Sequence, residues 1–338
     1  MKISLSKPHM CGLEEILVKE AFSSNYIAPI GPQLDAFEES VSNYLGSDLY
    51  CVGLSSGTAS LHLALIVAGV ERGDEVWVSS MTFAGGVFPI QYIGAIPRFF
   101  DIDPKTWCLN VDIISEELSK AANENRLPKA IIPTDLYGQS VDLKILEPLA
   151  KKYGVALVVD SAESLGAEYL NGRKAGSGGD VAILSFNGNK IITSSGGGML
   201  VTKNKDWAEK ARFLSTQAKD KAPHYEHSTI GYNYRLSNIS AAIGLGQMSV
   251  LDDRVQSRRE VFSRYLDGLN FKGVNFMPEP KGYKSSRWLT ALTIDYDLLG
   301  KSRNDIIKHL DEHDIESRPL WKPMHLQPVF KDQTYHGL

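Results

Sequence analysis

An aspartate that closes one apolar run and a lysine that follows a second set the chemistry open to this sequence. Val155-Ala156-Leu157-Val158-Val159 ends in Asp160, and Val181-Ala182-Ile183-Leu184 leads through Ser185-Phe186-Asn187-Gly188-Asn189 to Lys190. Short unbroken apolar runs read as buried parallel strands, and open α/β sheets bind ligands beyond the carboxyl ends of such strands. Asn187-Gly188 is a tight-turn pair that can project Lys190 into the crevice holding Asp160. A lysine can hold pyridoxal 5'-phosphate (PLP) as a Schiff base while a carboxylate pairs with its pyridinium nitrogen, so the two residues suit a PLP site. Taken alone, a solvated lysine and a helix-capping aspartate are the commoner arrangement.

Three further segments change that balance. Ser55-Ser56-Gly57-Thr58 follows the strand-like Tyr50-Cys51-Val52 and precedes an apolar helical stretch over residues 59–65. A glycine turn opening a helix leaves backbone N–H groups and a positive dipole end free for a phosphate, and Ser56 and Thr58 add hydroxyls. By itself this is an ordinary helix cap; beside a candidate PLP lysine it becomes a phosphate cup. Thr82-Phe83 follows the strand-like Glu75-Val76-Trp77-Val78-Ser79. Phe83 suits one face of a flat ring and Ala162 leaves room at the other, with Phe83 as plain core the alternative. Asn233-Tyr234-Arg235-Leu236-Ser237 precedes a helical stretch of small residues over 238–247, and its polar groups can donate to an anion of its own subunit or of a partner.

These residues need a scaffold, and strand-like runs near residues 75–79, 97–101, 129–135, 155–160, 181–186 and 198–202 alternate with helical stretches. That alternation predicts a wound, mostly parallel sheet with helices on both faces. A helix over 252–269, a strand over 288–294 and a helix over 303–313 predict a smaller C-terminal α+β domain, with the division at residues 1–250 and 251–338. At 338 residues and 43% apolar content two domains are expected. Net charge is −4 without a dense basic run, which argues against broad nucleic-acid binding. Cys11, Cys51 and Cys108 are widely spaced and read as free buried thiols of a reduced cytoplasmic protein. No run reaches membrane-span length, and residues 1–8 lack a signal peptide's apolar core. His224 and His227 read as a surface pair rather than metal ligands, and His62 as a satisfied core histidine. Gly196-Gly197-Gly198 reads as a close turn behind Lys190.

Together the segments resemble the DegT/DnrJ/StrS sugar aminotransferases, which are fold-type I PLP enzymes. The matching residues are Gly31-Pro32, Ser56-Gly57-Thr58-Ala59, Asp160-Ser161-Ala162-Glu163-Ser164-Leu165-Gly166, 185–190, Gly196-Gly197-Gly198-Met199-Leu200, Asn233-Tyr234-Arg235 and Pro323-Met324-His325-Leu326-Gln327-Pro328. The resemblance implies Lys190 as the Schiff-base lysine, Asp160 as the pyridinium partner and Glu163 as the neighbour of the ring's phenolic oxygen. It implies Ser56, Gly57, Thr58 and Ser185 around the phosphate, Asn233 reaching it from the other subunit of a homodimer, and Arg235 and His325 near the sugar nucleotide.

Glu163 and the stretch Ser317-Arg318-Pro319-Leu320-Trp321-Lys322-Pro323 look most like the bacillosamine-type enzymes and their exopolysaccharide-operon relatives. The implied reaction moves an amino group from L-glutamate to C4 of a UDP-linked 4-keto-6-deoxy-N-acetylhexosamine. A carboxylate at 163 beside a phenolate predicts a raised pKa or a shared proton. Relatives continue past the Pro323 to Phe330 segment, so a weaker wall of the substrate site and a less stable small domain are expected here. A 3-keto sugar aminotransferase, a PLP-dependent sugar dehydratase and a non-catalytic regulator are the competing readings; Lys190 argues against the dehydratase, whose relatives carry histidine there.

Overall fold

The structure is a computed structural model and describes residues 2–337. The chain opens with α1 (Leu13–Ser23) and α2 (Pro32–Leu45), whose first-turn proline sits where a backbone N–H has no helical partner to lose. β1 (Tyr50–Leu54) passes into α3 (Gly57–Val67), which is apolar on every side because it runs through the interior, with Leu61, Leu63, Ala64 and Leu65 fully buried. Strands and helices then alternate: β2 (Glu75–Ser79), α4 (Phe88–Ile93), β3 (Ile96–Phe100), α5 (Val111–Asn123), β4 (Ala130–Ile132), α6 (Leu143–Tyr153) and β5 (Ala156–Asp160). β6 (Val181–Ser185), β7 (Gly198–Thr202), α7 (Lys205–Ser215) and α8 (Asn238–Met248) complete this part. After it come α9 (Leu251–Gly268), β8 (Val274–Phe276), β9 (Leu292–Ile294), α10 (Tyr296–Leu299), α11 (Arg303–Glu312) and β10 (Tyr335–His336).

Eight strands form one sheet in the order β1-β7-β6-β5-β4-β2-β3-β10. β7 runs antiparallel to both neighbours and the remaining pairs are parallel. Side chains alternate between its faces. Val76, Val78, Ile132 and Val158 pack toward α3 and α7, while Trp77, Ile131, Leu157 and Val159 pack toward α5 and α6. The chain runs from β2 to β3 on one side and returns to β4 on the other. The carboxyl ends of β2, β4 and β5 therefore flank a switch point, where α/β sheets of this kind open a ligand crevice.

Several expectations are corrected. The run over 129–135 is strand only at β4, and the one over 288–294 only at β9. Before β9 the backbone bends at Arg287, in the left-handed region at φ 50°, and Trp288 is buried with its Nε1 donating to Asn189 O at 2.7 Å. A β-pleat is incompatible with that turn. Residues 324–336 also leave the rest of 251–338 and join the large sheet: β10 pairs with the edge strand β3, with Phe99 N donating to Thr334 O and Asp101 N to His336 O at 2.9 Å each. Cys51 and Cys108 are buried, but Cys11 is exposed in the loop before α1. His62 is buried with Nδ1 3.3 Å from Tyr234 Oη, and burial lowers its pKa. His224 and His227 go to separate partners, Glu226 and Gln217 O. Among the described residues no helix is long and apolar enough to cross a membrane.

Candidate active site

The carboxyl ends of β2, β4, β5 and β6 and the start of α3 enclose a cavity of about 390 Å³. Its floor is the cap of α3. Ser56 Oγ accepts from Ala59 N at 3.0 Å, leaving the first-turn amides of Gly57 and Thr58 ahead of the helix's own hydrogen bonds. Ser185, at the end of β6, closes over them; a Cβ on Gly57 would lie 3.0 Å from Ser185 Cβ. Gly198 makes the fit possible from behind, because a Cβ there would stand 2.4 Å from the Ser56 carbonyl. Backbone amides, hydroxyls and a helix N-terminus thus share one corner, a donor set that fits a phosphate.

Opposite that corner Asp160 leaves β5. Its Oδ1 accepts from Ala162 N at 3.1 Å, and burial pushes its pKa up, against the pull of that amide and of the Lys190 charge. Thr82 Oγ1 and Thr134 Oγ1, both lining the cavity, are buried without a hydrogen-bond partner. A Cβ on Gly86 would sit 2.7 Å from Asp160 Oδ2 and 2.6 Å from Thr82 Oγ1, so acid and hydroxyl converge on one spot. Buried polar atoms of this kind call for a ligand that hydrogen-bonds back.

Lys190 enters from the turn after β6, where its amide donates to Asn187 O at 3.0 Å. Nζ lies 3.2 Å from Glu163 Oε1 and 4.2 Å from the centre of the Trp288 ring. Glu163 Oε2 accepts from Tyr137 N at 2.9 Å; burial raises the Glu163 pKa, and the Lys190 charge opposes the rise. Phe83 and Ala162 line the same space, and the 57% exposed Phe83 ring lies 5.5 Å from Trp321. One cavity therefore gathers Ser56, Gly57, Thr58, Phe83, Asp160, Ala162, Glu163, Ser185 and Lys190.

Three residues with expected roles lie outside it. Arg235 points into the protein, where NH1 meets Glu38 Oε1 and donates to Gly53 O at 2.8 Å. The buried Glu38, on α2, takes up its guanidinium within the protein. His325 pairs its Nδ1 with Ser80 Oγ and stacks on Tyr335 with ring centres 3.8 Å apart. Asn233 is exposed and bridges to Thr216 within its own chain.

The cavity also has walls that the sequence reading passed over. Trp288 and Trp321 come from beyond residue 250, and Tyr137 packs 4.9 Å from Trp321. Thr134 carried a usable signal, a hydroxyl two residues past the end of the parallel strand β4. Trp288 carried none, because its neighbour Lys190 is distant in sequence.

Known proteins resemble the chain along most of its length. Residues 12–337 match the profile of the DegT/DnrJ/EryC1/StrS aminotransferase family. The chain is 47% identical over 337 residues to EpsN of Bacillus subtilis (strain 168), named as a pyridoxal phosphate-dependent aminotransferase, covering 99% of this chain and 86% of that protein. It is 35% identical to the GDP-perosamine synthase of Caulobacter vibrioides, covering 97% and 87%. A solved structure of Spr1654 from Streptococcus pneumoniae in its PLP form, named as a sugar aminotransferase, superposes with a TM-score of 0.87 at 27% identity, over 98% of this chain and 88% of that one.

Proposed function

Because the chain belongs to the DegT/DnrJ/EryC1/StrS family of PLP-dependent sugar aminotransferases, we propose that it moves an amino group from L-glutamate to C4 of a UDP-linked 4-keto-6-deoxy-N-acetylhexosamine in the cytoplasm, working as a homodimer whose subunits share each site. The observation that carries the catalytic reading is the meeting of Lys190 Nζ, the buried Asp160 and Glu163 carboxyls and the α3 cap in a single cavity. The C4 and UDP assignment rests on Glu163 and on the stretch over 317–323, which contains the wall residue Trp321.

When bound, PLP supplies an electron sink for the electrons released as a proton leaves the carbon bearing the amino group. Lys190 would hold it through Nζ, and Asp160 would accept the N–H of its ring. The amides of Gly57 and Thr58, with the hydroxyls of Thr58 and Ser185, would take its phosphate. With its Nζ free, Lys190 would be the base in reach of the reacting carbons and would carry the proton between them. Glu163 sits against that amine and supplies it with a hydrogen-bond acceptor. Asn233 would reach the phosphate from the partner subunit, which its exposure permits.

A second reading has one observation in its favour: relatives such as the Caulobacter protein are named for a GDP-linked sugar. The two are separated by incubating PLP-loaded protein and glutamate with UDP- and GDP-linked 4-keto and 3-keto sugars. Amino-sugar product and 2-oxoglutarate from the UDP-4-keto substrate are expected. Turnover confined to a GDP sugar, or to a 3-keto sugar, overturns the proposal.

A further inference from the structure

One fully buried acid takes no part in the chemistry above. Asp135 follows β4 and has no basic side chain among its hydrogen-bond partners; its carboxylate is met by four donors instead. Oδ1 accepts from Val141 N at 2.8 Å, while Oδ2 accepts from Ser161 Oγ at 2.7 Å, Ser164 Oγ at 2.8 Å and Tyr169 Oη at 3.2 Å. A carboxylate buried without a counter-charge is costly to keep, and an apolar residue could fill the same space. Burial pushes its pKa up to about 6, with the amide and hydroxyl donors pulling the other way.

The donors show what the acid is placed to do. Ser161 and Ser164 bracket Ala162 and Glu163, directly after Asp160. The backbone of Asp135 holds the same turn, its N–H donating to Asp160 O at 2.9 Å, and Asp160 N donates to Pro133 O at 2.9 Å. Two residues on, Tyr137 adopts φ 51° and gives its N–H to Glu163 Oε2. Gly138 O then accepts from Ser286 N at 2.9 Å, just before Arg287 and Trp288.

We propose that Asp135 is a positioning residue whose carboxylate, by gathering Ser161, Ser164 and Tyr169, fixes the turn that aims Asp160 and Glu163 into the cavity. This rests on the reading of that cavity as the PLP site. Asp135 does not line the cavity; it acts through the turn, where a displacement of about 1 Å changes the alignment of reacting groups.

The test compares purified PLP-loaded wild type with Asp135→Asn, whose amide nitrogen cannot accept a hydroxyl proton, and with Ser164→Ala, which removes one donor. Measured are kcat and KM for glutamate, the visible circular dichroism of bound PLP, and the thermal midpoint. In Asp135→Asn kcat is expected to fall roughly 10-fold or more with KM changed less than about 2-fold, together with an altered dichroic band. Ser164→Ala should move both in the same direction by less. A folded variant with wild-type kcat and dichroism, or one that loses thermal stability while kcat per bound PLP holds, overturns the proposal. Should Asp135→Asn not fold, Ser164→Ala decides by the same criteria. Wild-type protein that takes up no PLP sinks the proposed function along with this inference, whereas PLP uptake with unaffected variants sinks this inference alone.

Discussion

Lys190 Nζ is pinned between a carboxylate and an indole face, and substitutions around it have distinct signatures. Lys190→Ala should abolish the visible absorbance of PLP-treated protein and lower turnover by roughly 1,000-fold or more; retained colour and turnover would rule out its assignment. Gly86→Ala tests whether Asp160 and Thr82 face a ligand, since its Cβ would crowd both at under 3 Å. PLP affinity, read by fluorescence titration, should weaken about 5-fold or more, the lower end of the cost of overpacking. For Glu163 the direction of the shift sets the sign. Burial raises its pKa above the ordinary 4.5, so its ionisation costs folding stability as pH rises past that value. Glu163→Gln carries no such proton. Its kcat/KM profile should lack an ionisation that wild type shows above pH 4.5; superimposable profiles would remove Glu163 from the mechanism.

At the scale of elements, the α3 cap does two jobs. Ser56→Ala should cost about 1 kcal/mol of stability through the lost bond to Ala59 N, measurable by denaturant unfolding. It should leave PLP bound, because the first-turn amides remain. α1 is attached differently. Glu14 accepts from Gly12 N at 2.8 Å, from Cys11 N at 3.1 Å and from Gln247 of α8, and although burial pushes its pKa up these bonds bring it down to about 2. That attachment is present above the ordinary value of 4.5 and is lost as pH falls toward 2. Hydrogen exchange should therefore show α1 loosening in acid, and Glu14→Gln should flatten the dependence. Most of these elements were legible in the sequence, because buried parallel strands are written as unbroken apolar runs and α3 as an apolar helix behind a cap. What was not legible depended on distant partners. Arg235 in a polar motif reads as an anion ligand until Glu38, far earlier in the chain, is seen to hold it. Trp288 reads as strand until Arg287 is seen to turn the backbone.

The whole molecule leaves several apolar side chains open, among them Phe22 in the last turn of α1, Ile27 and Ile30 in the loop that follows, and the 86% exposed Ile230 in the loop before α8. Exposed apolar side chains of this size suit burial against a second copy of the chain, and light scattering should give twice the monomer mass. Ile230→Asp should shift the mass toward the monomer and cut activity with it; an active monomer would argue against shared sites. The large sheet was foreseen in outline, but the return of β10 to its edge was not, since two residues leave no periodicity to read. The bond from Trp288 Nε1 to Asn189 O carries a consequence of its own. It joins the segment just ahead of β9 to the backbone beside Lys190, the lysine proposed to receive the coenzyme, so ordering at either place is felt at the other. By reciprocity, vitamin B6 loading should slow proteolysis far out in the C-terminal third, and a lesion there should show itself first as a leak of coenzyme.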